Sequence, residues 1–334
     1  MEDTTARVQE SGSTSGIFKY MDASVQPSLY RNGKVFTRRD QDGSDAGWQG
    51  VSFVEQRTLV SDARMAQHES RRCTLVANGF ELLECPLSRA TIDFLDHTDV
   101  VKRYYPQCAE IVREVTGAPA FAFDHNVRSA SGKSSQRRIS GGQQVQGPAH
   151  VVHGDYTLTS APQRLRDLTK PPGPNDTVRS ALGEGQSLIA REMAERALGV
   201  GGRFAIINVW RNIAKEPVAT HPLALCDAHS VQPEDLVVFE IHYQDRIGEN
   251  YFARHSPRHK WYYYPRITGN EAILIKQWDS EGKLARTMGR EPDAGGQEGG
   301  PSTFSLHSAF EDPATPVDAP DRWSIEVRCM VVYD

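Results

Sequence analysis

The second half of the chain is a series of short strand-like segments, and this feature restricts the possible folds more than any other. Six runs of β-branched and aromatic residues follow one another from Phe204 to the C-terminus, with turn residues between them. The runs are RFAIINVW, LVVFEI, NYFARH, KWYYYP, AILIKQW and WSIEVRCMVVY. Many short strands separated by turns are typical of a sandwich or a barrel. The sequence therefore predicts a mainly β fold.

Two regions ahead of these strands have helical spacing. In 91–117, apolar residues recur every three or four positions, and Pro106 suits the first turn of a second helix, so this region predicts a helical pair. Residues 186–198 predict one more amphipathic helix, which ends at a Gly-rich segment. Helices in these two places would flank the β core.

The domain organisation follows from these elements. Residues 1–16 are polar and acidic, and we expect a disordered tail there. The rest, 17–334, predicts one domain, because no repeat and no linker between independent units is visible. Within it, we expect 17–128 to supply strands and helices that pack on the barrel, and 149–334 to form the barrel itself.

Three local features of the chain are not regular strands. The pair Asn78-Gly79 lies between two apolar runs, which favours a tight hairpin turn. The stretch at 129–148 is rich in Ser, Gly and Gln, and the one at 289–303 is Gly-rich and charged. Long irregular segments in compact domains are often functional, so both are candidate lids over a site.

Composition excludes several classes of partner. The formal net charge of -5 and the pI near 6.1 give no basic field that would attract nucleic acid. Five widely spaced cysteines contain no C-x-x-C pair, which argues against a disulfide framework and fits a reducing cytoplasm. No apolar run approaches the roughly 20 residues that span a membrane. We expect a cytoplasmic protein, and a homodimer is left open.

The segment VVHGDYT brings His153 and Asp155 to the same side of a predicted strand, because residues i and i+2 project together. Two histidines and one carboxylate can hold Fe(II) on one face and leave positions free for oxygen chemistry. The spacing alone says little, since a solvated strand pair would also explain it. His97-Thr98-Asp99 repeats the spacing just before a predicted helix, where Thr98 or Asp99 is more simply an N-cap.

The C-terminal segment supplies a third histidine and a group suited to binding a carboxylate. His307 is followed by Arg322-Trp323-Ser324 at the start of a strongly alternating strand. Period-two geometry places Arg322 and Ser324 on one face, and the same face carries Glu326 and Arg328. A guanidinium fork beside a hydroxyl is suited to gripping a carboxylate.

The order His-x-Asp, strands, a single His and then Arg-x-Ser resembles the Fe(II)/2-oxoglutarate-dependent oxygenases. The resemblance implies a double-stranded β-helix, also called a jelly roll or cupin-like barrel, with flanking helices. It implies Fe(II) held by His153, Asp155 and His307. It also implies 2-oxoglutarate as cosubstrate, with its far carboxylate on Arg322 and Ser324, and O2 at the remaining position of the metal.

A narrower resemblance covers the chain from about residue 90 to the end. The segments IINVWR, LALCDAHS, GENYFARHSPRHKWYYYP, HSAFEDP and RWSIEVR are similar to a family of natural-product tailoring enzymes. That family includes a gibberellin desaturase, an aspergillic acid hydroxylase, the novofumigatonin endoperoxidase and a component of cephamycin methoxylation. It implies hydroxylation, desaturation or endoperoxide formation on a small secondary metabolite. Trp323 departs from the pattern and could alter the pocket wall.

Further candidates lie on the predicted strands. Asn208 and Arg211 place polar groups on a buried strand, either near the 2-oxoglutarate C1 carboxylate and the substrate or in a structural hydrogen-bond network. Trp261 and Tyr263 are candidate substrate contacts, and core packing is the other interpretation.

Alternatives stay open at this point. His242 followed by Arg254-His255-Ser256 is a second possible order of ligand and carboxylate grip, although it would leave the C-terminal strands outside the site. Arg138-Ile139-Ser140 is a third Arg-x-Ser and precedes the His-x-Asp pair. At the level of function, the alternatives are a non-catalytic partner protein of another tailoring enzyme and a metal-free jelly-roll binding module.

Overall fold

The computed structural model describes residues 12–39, 45–68, 72–87, 92–174, 176–244, 246–293 and 300–333. Its strands are β1 Ser13–Met21, β2 Phe36–Arg39, β3 Asp45–Gln49, β4 Phe53–Asp62, β5 Phe80–Glu84, β6 Ala120–Arg128, β7 His153–Gly154, β8 Arg203–Asn212, β9 Leu223–Cys226, β10 Leu236–His242, β11 Ile247–Ala253, β12 Trp261–Tyr263, β13 Glu271–Asp279, β14 His307–Ala309 and β15 Ser324–Tyr333. Its helices are α1 Ala63–His68, α2 His97–Asp99, α3 Tyr105–Thr116, α4 Ala130–Ser134, α5 Ser160–Asp167, α6 Arg191–Leu198 and α7 Lys283–Arg286.

The strands form two sheets that face each other. The larger sheet has the order β1-β4-β12-β9-β14-β7-β11-β10-β2-β3, and the smaller has the order β5-β13-β8-β15-β6. Between them, apolar side chains from both sheets make one cluster, for example Trp210 and Ile273 of the smaller sheet with Leu225 of the larger. The mainly β prediction for the second half of the chain is therefore confirmed, and each of the six predicted runs contains a strand.

The N-terminal region contributes strands to both sheets. The first strand, β1, begins at Ser13, four residues inside the predicted tail, while residues 1–11 lie outside the described part. Strands β1 to β4 extend the larger sheet, and β5 and β6 are the two edges of the smaller one. The larger sheet curls, so that β1 also bridges to Val151, Arg254 and Glu311.

The predicted helical pair is one continuous helical segment. Helix α2 passes through a π-helical turn, Val100–Tyr104, directly into α3, whose C-terminal cap is Gly117 in the left-handed conformation. The wide turn lies just before Pro106, whose ring would collide with the carbonyl group of Lys102 in a regular α-helix. The cap of α2 is Asp96, whose side chain accepts from the Asp99 backbone, so the prediction of Thr98 or Asp99 as the cap was wrong.

The structure also shows what the predicted hairpin, the predicted helix at 186–198 and the two predicted loops form. Asn78-Gly79 is not a hairpin, because β5 pairs with β13 instead of with the residues before the turn. The predicted helix at 186–198 is shorter and begins at Arg191. The predicted loop at 129–148 contains helix α4. In the predicted loop at 289–303, residues 294–299 lie outside the described part. No helix in the described residues is both long and apolar enough to cross a membrane.

Candidate active site

The sheet register brings together two histidines that are far apart in the chain. His153 of β7 pairs directly with His307 of β14, and their rings lie 4.3 Å apart between centroids. With Asp155, they present ligand atoms that all lie within 4.8 Å of one another. This is the only group of its kind among the residues that the structure describes, and it is the predicted triad.

Nδ1 of each ring contacts a neighbouring group. Nδ1 of His153 lies 2.7 Å from the Val151 carbonyl oxygen, and Nδ1 of His307 lies 3.5 Å from Nε2 of Gln277. Nε2 of His153 then faces Oδ1 of Asp155 at 3.7 Å. A histidine ring that donates one nitrogen to a carbonyl presents the other as a lone pair, which a metal ligand requires.

Burial keeps the two histidines neutral. Loss of hydration, followed by the nearby His307 ring, lowers the pKa of His153 to about 4. Burial lowers the pKa of His307 as well. For Asp155, burial favours the protonated form, but the charge of Arg328, with the hydrogen bond from Asn208, opposes it, and the pKa is lowered. At neutral pH the group is therefore two neutral imidazoles and one carboxylate, which is the form that binds a divalent metal.

One oxygen of Asp155 is held by the protein, and the other faces the histidines. Oδ2 accepts from Nδ2 of Asn208 and from Nε of Arg328, both at 3.0 Å. Arg328 is fixed in turn by Asp124, whose Oδ2 is 2.8 Å from Nη1. The backbone amide of Asp155 donates to Oε1 of Gln277 at 2.9 Å. These contacts leave Oδ1 free to act as a single ligand atom.

A small cavity leads from the histidines to the start of β15. His153, His307 and Arg322 all line it, together with the apolar side chains of Trp210 and Leu223. Two imidazoles and a guanidinium on one lining suit a ligand that carries both a metal-binding group and an anionic group.

Arg322 on the cavity lining and Ser324, two positions further along the chain, have buried polar atoms without partners among the described residues. Arg322 is 2% exposed, and in the described part of the chain neither its Nε nor the hydroxyl of Ser324 has a hydrogen-bond partner. One guanidinium NH2 group is held by the His221 carbonyl oxygen. Burial, together with the charge of Arg128, lowers the pKa of Arg322 to about 9. A buried cation and a buried hydroxyl that lack partners fit a carboxylate ligand.

Comparisons with known proteins agree with this chemistry. Residues 19–332 match the model of a family described as oxidoreductase/YMDC permease-like domain. The chain is 30% identical over 303 residues to the alpha-ketoglutarate-dependent dioxygenase phiK of a fungal species, covering 88% of this chain and 92% of the relative. The chain belongs to this oxidoreductase family as an Fe(II)/2-oxoglutarate-dependent dioxygenase. Membership implies Fe(II), 2-oxoglutarate and O2, and the His-Asp-His group and Arg322 on the cavity lining fit them.

Two further relatives widen the comparison. This chain is 29% identical over 321 residues to the Fe(II)/2-oxoglutarate-dependent dioxygenase nvfI of Aspergillus novofumigatus, with 94% of each chain covered. It is 48% identical over 195 residues to a protein from the dcmA 3' region of Methylophilus leisingeri, covering 58% of this chain and 88% of the relative.

The fold has a close counterpart in a solved structure. The endoperoxidase NvfI matches with a TM-score of 0.68 and 24% identity over 96% of this chain and 98% of that chain. At this identity the likeness concerns the fold, and it confirms the predicted double-stranded β-helix.

Arg211 does not line the site of the dioxygenase, although the sequence made it a candidate substrate contact. It is three residues from Asn208 on β8 and therefore projects from the opposite face. There Nε donates to the Tyr104 hydroxyl at 3.0 Å, and Nη1 donates to the carbonyl oxygens of Cys85 at 2.7 Å and Gly269 at 2.6 Å. Arg211 connects the smaller sheet to the helical layer, so the substrate prediction for it was wrong.

Trp261 and Tyr263 also face away from the cavity. Trp261 is 1% exposed, stacks on Phe18 at 4.7 Å and donates to the hydroxyl of Tyr20 at 2.8 Å. Tyr263, on the same face of β12, contacts Phe310 edge-on at 5.6 Å. Both rings pack beneath β1 on the outer face of the larger sheet, so the core interpretation applies to them.

The structure also clarifies Asn208, Trp323 and His242. Asn208 supports Asp155, and its Oδ1 is buried without a partner in the described residues. The Trp323 ring packs against Gly132 of α4, where a Cβ atom added to the glycine would lie 2.8 Å from the ring. Trp323 is not among the residues that line the cofactor cavity. His242, the rival ligand, pairs with Glu240 at 2.9 Å and is not part of the triad.

Sequence reasoning assigned no role to four residues that surround the triad and the cavity. Arg328 and Gln277 hold Asp155, and Arg128 and Glu326 line the cavity. The alternating pattern of β15 did place Glu326 and Arg328 on the face of Arg322. No pattern in the sequence pointed to Arg128 or Gln277, since each becomes part of the site only through sheet pairing.

Proposed function

We propose that His153, Asp155 and His307 hold the Fe(II) of this dioxygenase, and that Arg322 and Ser324 bind the far carboxylate of 2-oxoglutarate. One observation carries the proposal. The cavity lined by the two histidines is also lined by Arg322, whose buried Nε has no partner among the described residues, and the hydroxyl of Ser324, two positions further along the chain, is likewise buried without one. A dicarboxylate that reaches from the metal to Arg322 would satisfy both atoms.

The residues of the chain have distinct tasks in this proposal. Neutral His153 and His307 and Oδ1 of Asp155 would hold the metal, while Arg328 and Asn208 keep Oδ2 turned away. Arg322 orients the cosubstrate along the cavity, and Trp210 and Leu223 exclude water from its wall. Bound Fe(II) with 2-oxoglutarate and O2 supplies the oxidation, in which 2-oxoglutarate loses CO2 and becomes succinate.

The substrate is a small secondary-metabolite intermediate in this proposal. Hydroxylation, desaturation and endoperoxide formation all fit the same site, because they differ in the fate of the substrate after hydrogen abstraction. A cytoplasmic location, the absence of nucleic-acid binding and the open question of a homodimer stay predictions from the sequence.

Succinate formation by the purified protein, loaded with Fe(II) without oxygen and then exposed to O2, tests the proposal. We expect slow turnover of 2-oxoglutarate that His153→Ala abolishes and His242→Ala retains. The anaerobic protein with Fe(II) and 2-oxoglutarate should also show a weak visible charge-transfer band. A protein that binds no iron and gives no succinate would support a non-catalytic partner or a metal-free binding module instead.

A further inference from the structure

Arg128 lies in the cofactor cavity, although nothing in the sequence singled it out. It ends strand β6, where it pairs with Ser324 of β15. Its side chain lines the same cavity as His153, His307 and Arg322. Nη1 donates to the Gly147 carbonyl oxygen at 3.0 Å, which anchors one side of the guanidinium to the backbone beside the cavity.

The charge of Arg128 acts on other groups that line the same cavity. Its positive charge acts on both histidine rings and contributes to lowering the pKa of His153 and of His307, after burial in each case. The same charge acts on Arg322. Arg128 therefore pairs with Ser324 in the sheet and lines the same cavity as the two histidines.

Glu326 places a carboxyl group on the wall of the same cavity. It is 6% exposed, and its Oε1 is 3.4 Å from Nη2 of Arg328. Burial and the nearby Asp155 raise the pKa of Glu326, while Arg328 and Arg128 oppose that shift. A carboxylate here repels an anionic ligand and attracts the Arg128 guanidinium.

We propose that Arg128 is a second guanidinium contact for 2-oxoglutarate in this cavity, and that the negative charge of Glu326 on the same lining limits the affinity. The inference rests on the proposed function, since it concerns the same cavity. The cosubstrate carries two carboxylates, and Arg322 with Ser324 accounts for only one. A bound metal would neutralise part of the charge on the second carboxylate, and Arg128 is a further cation on the same cavity lining that can donate hydrogen bonds to the ligand.

Binding of 2-oxoglutarate to the Mn(II)-loaded protein, measured by calorimetry without oxygen, tests the inference without turnover. We expect Arg128→Met to weaken 2-oxoglutarate binding about 10- to 100-fold, the range for loss of a charge-assisted hydrogen bond. Arg128→Lys should lie between this variant and the wild type. Glu326→Gln, which removes the negative charge, should bind 2-oxoglutarate more tightly than the wild type does.

Matched controls separate the possible outcomes. Arg138→Met makes the same change at an exposed position of the following loop and should bind 2-oxoglutarate as the wild type does. Mn(II) affinity and the melting temperature of Arg128→Met report any loss of the folded site. Wild-type affinity for 2-oxoglutarate in Arg128→Met, or an equal loss of Mn(II) binding, would overturn this inference alone. A wild-type protein that binds Mn(II) but no 2-oxoglutarate would overturn the proposed function itself.

Discussion

Replacement of Arg328 by Met is the sharpest test of how this protein holds its metal site. The guanidinium is buried among three carboxylates, with distances of 3.0 Å to Asp155, 2.8 Å to Asp124 and 3.4 Å to Glu326. Arg328→Met keeps most of the apolar volume of the side chain but removes the charge. The three carboxylates would then face one another without their shared cation.

Two magnitudes follow from this geometry. Removing one partner of a buried ion pair costs about 3–5 kcal/mol of unfolding free energy, because the other charge stays buried without compensation. Losing a hydrogen bond that orients a metal ligand typically weakens metal binding about 10- to 100-fold. The pKa of Asp155 should rise, since Arg328 is the largest of the charges that lower it. Metal binding in the variant should therefore also become more sensitive to acid.

Anaerobic Fe(II) titration and urea unfolding measure these two effects. The control is Arg203→Met, because Arg203 forms an equally close pair with buried Asp279, at 3.0 and 2.7 Å, away from the metal site. We expect both variants to lose stability and only Arg328→Met to lose Fe(II) affinity. Unchanged Fe(II) affinity in Arg328→Met, or the same loss in Arg203→Met, would refute the idea that Arg328 orients Asp155.

Further predictions concern the triad, the cosubstrate grip, the core and the pH response. His307→Ala should lose Fe(II) binding and His242→Ala should keep it; the reverse result in metal titrations would move the ligand to His242. Ser324→Ala should raise the KM for 2-oxoglutarate about 2- to 10-fold in the succinate assay, the effect of one hydrogen bond. Trp261→Leu should lower the melting temperature through lost core packing yet leave 2-oxoglutarate binding unchanged, which calorimetry checks. Burial lowers the pKa of His125 from 6.5 to about 4, so on acidification the unfolded chain binds a proton before the folded protein does. The free energy of unfolding should therefore fall by up to about 3 kcal/mol as the pH drops from 6.5 to 4. In His125→Gln, urea unfolding across this pH range should lack that contribution.

Local periodicity determined what the sequence could say about the site. His153 and Asp155 are two residues apart, and Arg322, Ser324, Glu326 and Arg328 alternate along one strand, so each set shares a face wherever the strand lies. The resemblance to oxygenases then assigned the first set to the metal site and Arg322 with Ser324 to the carboxylate grip, and it selected His307 among eleven histidines. The strands of the second half could be predicted for the same reason, because β propensity and alternation are properties of short segments.

Only the tertiary structure decided which face of each strand is the interior. Arg211, Trp261 and Tyr263 lie on strands that border the site, yet their side chains point to the opposite layer, and nothing in their own segments distinguishes the two faces. Arg328 meets Asp155, 173 positions away in the chain, because of how β15 and β7 are placed in the two sheets. Period-two alternation fixes which residues of a strand point the same way, but pairing between distant strands decides what they point at.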